Sequence, residues 1–168
     1  DSRAPLFVVG IGASAGGLEA LVELLGGLRA TGMAFIVVQH LDPTHESLLA
    51  EILAKKTTMA VSLATAGEAV KPDHVYVIPA DALLTVHDGH IEVKRRSSAH
   101  ERPFPVDLLF SSLAVAYGEG AIAVVLSGAD ADGSLGLREI KHAGGFTFAQ
   151  EPESARFPTM PQHAIDTG

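Results

Sequence analysis

A chain of 168 residues, 47% apolar and 19% charged, has the size and balance of one globular domain with a real core, not of a disordered segment. It contains no cysteine, which excludes a disulfide framework, a thiol nucleophile and a thiolate metal site. A formal charge of −8 argues against nucleic acid as a partner, and no stretch nears the roughly 20 apolar residues of a membrane span or the layout of a secretory signal, so a cytoplasmic setting without membrane insertion is expected.

The first element starts with the run Leu6-Phe7-Val8-Val9-Gly10-Ile11, which reads as a buried strand. It ends in small residues around Ser14, and Leu18, Leu21, Val22, Leu25 and Leu28 then recur at helical spacing. Ser14 therefore falls in a strand-to-helix turn, and two readings compete. In Gly12-x-Ser14-x-Gly16 the serine is a nucleophile on a sharp turn; in Gly10-x-Gly12-x-x-x-Gly16 the glycines cradle a phosphate at a helix N-terminus. Residues 35–38 form a second buried strand ending at Gln39-His40. Asp42-Pro43-Thr44 breaks the chain, and Leu48, Leu49, Ile52 and Leu53 give the next helix its apolar stripe. Strand, helix, strand, helix is the pattern of a right-handed parallel βαβ unit.

The middle of the chain changes character. Residues 75–78 are a short strand bounded by Pro72 and Pro79, and two β-prone runs flank His87-Asp88-Gly89-His90, which predicts a hairpin added to the parallel sheet. Residues 96–104 read as a polar loop suited to a substrate-facing rim. The basic run Lys94-Arg95-Arg96, with Arg102 nearby, is either a solvated loop or a contact for an acidic partner. Pro105-Val106-Asp107 opens a helix with Leu108, Leu109, Leu113 and Ala116 for its buried side. Residues 121–126 are a strand running into Ser127-Gly128-Ala129-Asp130-Ala131-Asp132-Gly133; a helix through Leu135, Leu137 and Ile140 stops at Gly144-Gly145, and residues 146–149 form a last strand. The Pro-containing tail is mostly loop and short helical turns. The fold expected is α/β: a doubly wound, mostly parallel sheet with helices on both faces and an antiparallel hairpin. Residues 1–168 are read as a single domain taken from a longer chain.

Three strands end in polar residues that packing does not require: Ser14, His40 and the pair Asp130 and Asp132. In an open parallel sheet the C-terminal strand ends share one edge, where ligands bind. A hydroxyl, an imidazole and a carboxylate are the groups of a hydrolytic triad: base-assisted attack, with the acid fixing the ring tautomer. Each residue also has an ordinary duty, as helix cap, structural histidine or turn aspartate. The dinucleotide fingerprint is spaced one residue too wide, and Gln39-His40 stands where it wants an acid. His87-x-x-His90 lacks the further ligands a metal needs.

Taken together, Ile11-Gly12-Ala13-Ser14-Ala15-Gly16-Gly17, Val38-Gln39-His40 and Leu126-Ser127-Gly128-x-x-x-Asp132-Gly133 resemble the three signature segments of the chemotaxis protein-glutamate methylesterase family, CheB, in its catalytic domain. The resemblance extends through His74-Val75-Tyr76-Val77-Ile78-Pro79, Arg102-Pro103-x-Pro105-Val106-Asp107, Ala143-Gly144-Gly145 and Met160-Pro161-x-x-Ala164-Ile165. It implies hydrolysis of glutamate methyl esters, and in some members glutamine deamidation, on chemoreceptors. The partners implied are methylated chemoreceptor cytoplasmic helices or another methylated signalling protein. It places the nucleophile at Ser14, the base at His40 and the acid at Asp132 rather than Asp130, with an oxyanion amide at Ala129; an amide near Ala15 is the other candidate for that charge, and no metal or organic cofactor is required. Members often carry Thr at the position of Ala15 and Met at that of Ala129, so these two departures bear on substrate fit. The segment His40-Leu41-Asp42-Pro43-Thr44-His45 is similar to methylesterase domains fused to a methyltransferase and sensory modules. The alternative is a non-catalytic partner-docking or regulatory domain that keeps the fold.

Overall fold

The computed structural model describes residues 4–40, 46–96 and 104–168, with the side chains of residues 46 and 47 left aside. Its elements in chain order are β1 (Val8–Ala13), α1 (Gly17–Gly27), β2 (Ala34–Gln39), α2 (Glu46–Lys56), β3 (Ala60–Leu63), β4 (His74–Val77), β5 (Ala82–His87) and β6 (His90–Arg95). There follow α3 (Pro105–Tyr117), β7 (Ala121–Val125), α4 (Ser134–His142), β8 (Phe146–Ala149) and α5 (Thr159–Asp166), with short 3₁₀ turns at Gly118–Gly120 and Pro152–Ser154. Six strands make one sheet in the order β3-β4-β2-β1-β7-β8, and all its pairings are parallel.

Alternation along β1 builds two cores. Val9, Ile11 and Ala13 pack with Leu21 and Leu25 of α1 and Leu49 and Leu53 of α2. Val8, on the opposite face, joins Leu109, Phe110 and Leu113 of α3, Leu137 and Ile140 of α4, and Met160 of α5. Helices thus cover both faces, as the strand–helix alternation predicts. On the α3 face, β1 presents Gly10 and Gly12. A Cβ at Gly10 would lie 2.8 Å from Leu113 Cδ1, and one at Gly12 would overlap Val106 Cγ1. These glycines let the first turns of α3 lie directly on the sheet.

After β1 the chain winds to β2 on one side, whereas β7 pairs on the other, so the topological switch point lies between β1 and β7. Ala13 is level with Gln39, and Gly12 with Val125. His40 N–H donates to Ala13 O at 3.4 Å and Ser14 N–H to Ser127 O at 2.9 Å. The residues that follow the three strands therefore stand side by side, with Ser14 in the middle.

Several elements differ in detail from the sequence expectation. The hairpin forms its own two-stranded ribbon, β5-β6, tied to α3 by Val86 N–H to Ser112 Oγ at 3.1 Å. The edge strand β3 has no counterpart in the sequence reading, because it is four residues long and never fully buried. On α3 the buried line is Val106, Leu109, Phe110 and Leu113, while Leu108 and Ala116 face outward. The glycines of β1 draw the helix in along that line. Leu48 and Leu135 are likewise exposed, and the tail holds a regular helix, α5, whose Met160 and Ala164 pack on the α3 face. The Asp42-Pro43-Thr44 break, Arg102 and most of the loop 96–104 lie outside the described residues.

Gly12→Ala is expected to destabilise the domain by about 1–3 kcal/mol, the usual range for overpacking a core, read from the midpoint of urea unfolding. Gly27→Ala, at a site with no heavy atom within 4 Å of the added Cβ, is expected to stabilise by about 0.5 kcal/mol.

Candidate active site

The turn after β1 is tightly defined. Ser14 O accepts the Gly17 N–H at 2.9 Å, and Gly16 has φ 72° and ψ 5°, the values for the third residue of a type II turn, where glycine is favoured. A Cβ at Gly16 would also lie 2.8 Å from Ser127 Oγ. The capping position of α1 is Gly16, with no side-chain cap bond. Ser14 is thus free of the usual duty of a serine ahead of a helix.

His40 follows β2, with its side chain about one-third exposed. Its Nε2 is 3.2 Å from Asp132 Oδ2 and 4.0 Å from Asp130 Oδ2. A carboxylate can only accept, so Nε2 carries the proton, and in the neutral ring Nδ1 is left as the basic nitrogen. Asp132 is buried, at 1% exposure. Its Oδ2 accepts the N–H of Val106 at 3.0 Å and its Oδ1 that of Asp107 at 2.9 Å. These are free amides of the first turn of α3, so the carboxylate is held at a helix N-terminus. Asp130 Oδ1 accepts the Asp132 N–H at 3.0 Å and so bends the loop that delivers Asp132. Asp107 Oδ1 accepts Gly136 N–H at 2.7 Å in the first turn of α4, and burial pushes its own carboxyl pKa up.

The electrostatics at His40 follow from these contacts. The hydrogen bond to Asp132 raises its pKa, burial opposes the rise, the charges of Asp130 and Asp132 add to it, and Arg96 opposes it. The result lies above the ordinary 6.5. A cavity of about 80 Å³ opens beside the ring, among Val38, Ile78, Asp81, Arg96 and Pro105.

The structure brings Ser14, His40 and Asp132 to one edge of the sheet, as expected from the strand ends. Among the described residues no hydrogen bond joins Ser14 Oγ to His40, and such contacts often tighten only when substrate is bound. Among the described residues neither the Ala15 N–H nor the Ala129 N–H has a backbone acceptor. The neighbouring Gly128 N–H is engaged with Phe157 O at 3.0 Å. Val106, Phe110 and Leu113 of α3 occupy the space that Gly10 and Gly12 open, which counts against the phosphate-cradle reading. His87 and His90 face each other across the hairpin turn, with His90 Nδ1 2.9 Å from Asp88 O.

Sequence reasoning missed the amides of Val106 and Asp107 as the cradle of Asp132. It also gave Ser127 no task, although this buried side chain contacts the serine turn. Pro at the first position of a helix was the signal for the former. Nothing local marks the latter.

The CheB methylesterase family matches residues 9–168 of the chain. A Pseudomonas aeruginosa protein named protein-glutamate methylesterase/protein-glutamine glutaminase 2 is 34% identical, across 100% of this chain and 50% of its own. A Chromohalobacter salexigens protein of the same name, without the numeral, is 38% identical, across 99% of this chain and 49% of its own. The crystal structure of the Thermotoga maritima CheB methylesterase catalytic domain superposes with a TM-score of 0.85 at 30% identity, covering 95% of this chain and 87% of that one. The chain spans about half the length of the curated relatives it matches.

NMR titration of the His40 ring is expected to give a midpoint above 6.5. Asp130→Asn should lower it by removing a nearby negative charge, and Asp132→Asn should lower it further by removing the hydrogen-bonded one. Because the folded value is raised, the stability this pairing contributes is fully present below pH 6.5 and is lost as pH rises through the folded pKa.

Proposed function

Since the chain belongs to the CheB methylesterase family, we propose that its 168 residues form one catalytic domain, a serine hydrolase acting on glutamate methyl esters of a signalling protein. The observation that carries the reading is the His40–Asp132 pair, 3.2 Å apart, set at the C-terminal sheet edge beside a serine that caps nothing. In the proposed reaction Ser14 Oγ attacks the ester carbonyl carbon while His40 Nδ1 takes its proton. The N–H groups of Ala15 and Ala129 receive the negative charge on the carbonyl oxygen, an effect worth about 3–4 kcal/mol per donor. The tetrahedral adduct collapses, and the imidazolium protonates the leaving oxygen, releasing methanol. Water, deprotonated by His40, then attacks the acyl-serine; the glutamate carboxylate leaves and Ser14 recovers its proton. Asp132 keeps the ring in the required tautomer and offsets the imidazolium charge. With a glutamine side chain the same steps release ammonia.

The substrate-bearing partner in this reading is a chemoreceptor cytoplasmic helix or another methylated signalling protein. Among the described residues no helix is long and apolar enough to cross a membrane, and the reading places the domain in the cytoplasm. The sequence around His40 favours a parent protein that also carries a methyltransferase and sensory modules. Lys94, Arg95 and Arg96, all exposed, lie at the end of β6, and Arg96 lines the cavity beside His40. On a chain of net charge −8 this basic edge fits an acidic helix approaching the site.

Methanol release from methylated receptor is the direct test. Ser14→Ala should abolish it without moving the urea midpoint, and comparable activity in that variant would overturn the mechanism; a docking domain would release none even as wild type. Asp132→Asn should lose about 10⁴-fold in kcat, against less than about tenfold for Asp130→Asn, which only touches the charge near His40. Charge reversal at Arg95 and Arg96 should weaken association with receptor and flatten its salt dependence.

A further inference from the structure

We propose that Ser127 is a positioning residue for Ser14, its hydroxyl setting the central peptide of the turn that presents the nucleophile. Ser127 is buried, at 1% exposure. Its Oγ accepts the Phe157 N–H at 3.0 Å and lies 2.8 Å from Ala15 O, with Phe157 O more distant at 3.4 Å. At 2.8 Å against 3.4 Å, the hydroxyl proton goes to Ala15 O, while Phe157 O accepts from Gly128 N–H at 3.0 Å. Its backbone carbonyl accepts the Ser14 N–H at 2.9 Å, and its own N–H donates to Gln150 Oε1 at 2.9 Å. One residue therefore holds the nucleophile's amide and the next peptide of the turn.

The turn needs such a hold. Ala15 O belongs to the peptide between Ala15 and Gly16, the central peptide of the turn, whose rotation separates type I from type II. Gly16 accepts either sign of φ at little cost and Gly17 follows it, so the local chain does not select one orientation. The Ser127 hydroxyl does, by binding the carbonyl of that peptide. The strap 156–160 holds the hydroxyl in turn: Phe157 engages Ser127 and Gly128, and Met160 N–H donates to Gly128 O at 2.9 Å. A Cβ at Gly128 would lie 2.9 Å from Ser14 Cβ, so the loop after β7 touches the nucleophile directly. A small displacement here moves Ser14 Oγ against His40, and misplacement by about 1 Å can cost roughly 100-fold in rate.

The inference rests on Ser14 being the nucleophile, and the test separates the two. The rate of covalent labelling of Ser14 by a fluorophosphonate needs no methyl ester. Ser127→Ala is expected to slow labelling and lower kcat by about 10- to 100-fold, with KM within about twofold, while Ser127→Thr, which keeps the hydroxyl, restores both. Gln150→Ala loosens the backbone side of Ser127 without touching the hydroxyl; it should lower the urea midpoint and leave labelling unchanged. If Ser127→Ala does not fold, Ser127→Cys carries the test, since its weaker S–H donor should also slow labelling. Wild-type labelling rates in Ser127→Ala or Ser127→Cys would overturn the proposal, as would Gln150→Ala slowing labelling as much as Ser127→Ala. Labelling of the wild type without methanol release would instead count against the methylesterase reading alone.

Discussion

A carboxylate buried as fully as Asp132 needs its charge solvated by the protein, because burial without partners costs several kcal/mol. The solution here is a helix N-terminus. Val106 and Asp107 in the first turn of α3 give two amides to Asp132, and His40 gives a third donor. The amides reach it because α3 lies on β1 without an intervening side chain, and that depends on Gly10 and Gly12. A packing feature of the first strand thereby sets the position of an acid 120 residues later in the chain. Asp107 continues the arrangement by holding the first turn of α4, so two of the helices on this face, α3 and α4, are fixed at their N-termini by carboxylates, the better sign of charge for that end of a helix.

The second constraint is strand register. Parallel pairing of β1 with β2 and with β7 makes the three C-terminal ends level. Ser14 emerges between His40 on one side and the loop from Ser127 to Asp132 on the other. The switch point at β1 and β7 leaves the edge open there, because the chain departs in opposite directions from that seam. His40 then meets the Asp132 carboxylate from the neighbouring loop, and the direction of its proton leaves Nδ1 as the unprotonated nitrogen of the neutral ring.

Much of this was readable in the amino-acid order. Apolar runs, helical spacing and Gly or Pro punctuation located β1, β2, β4, the hairpin, β7 and β8, and polar residues at strand ends singled out Ser14, His40 and the Asp130–Asp132 pair. Where the reading slipped, the cause was tertiary. The sequence puts Leu108, Leu109, Leu113 and Ala116 on the buried side of α3, and of these only Leu109 and Leu113 are buried, since a helix rich in Leu and Ala offers more than one apolar line and the glycines of β1 select the one used. The edge strand β3 buries little and leaves a faint pattern. The glycines near Ser14 allow either a phosphate cradle or a nucleophile turn; the spacing and the missing acid already weaken the cradle in the sequence, and α3 lies over two of these glycines.

Local order was sufficient for what depends on neighbours in the chain: the period of each element, the turn that needs Gly16, and the polar groups that close three of the strands. The choice between Asp130 and Asp132 as partner of His40, the ring nitrogen left without a proton, the amides that hold Asp132 and the contacts of Ser127 all depend on distances between segments far apart in sequence. Such distances arise from register and from how closely a helix can lie on a sheet, neither of which is a property of any one segment. Ser127 shows the difference well: next to Gly128 it reads as an ordinary loop serine, and only with Ala15 and Phe157 folded against it does its hydroxyl acquire a donor, an acceptor and a task.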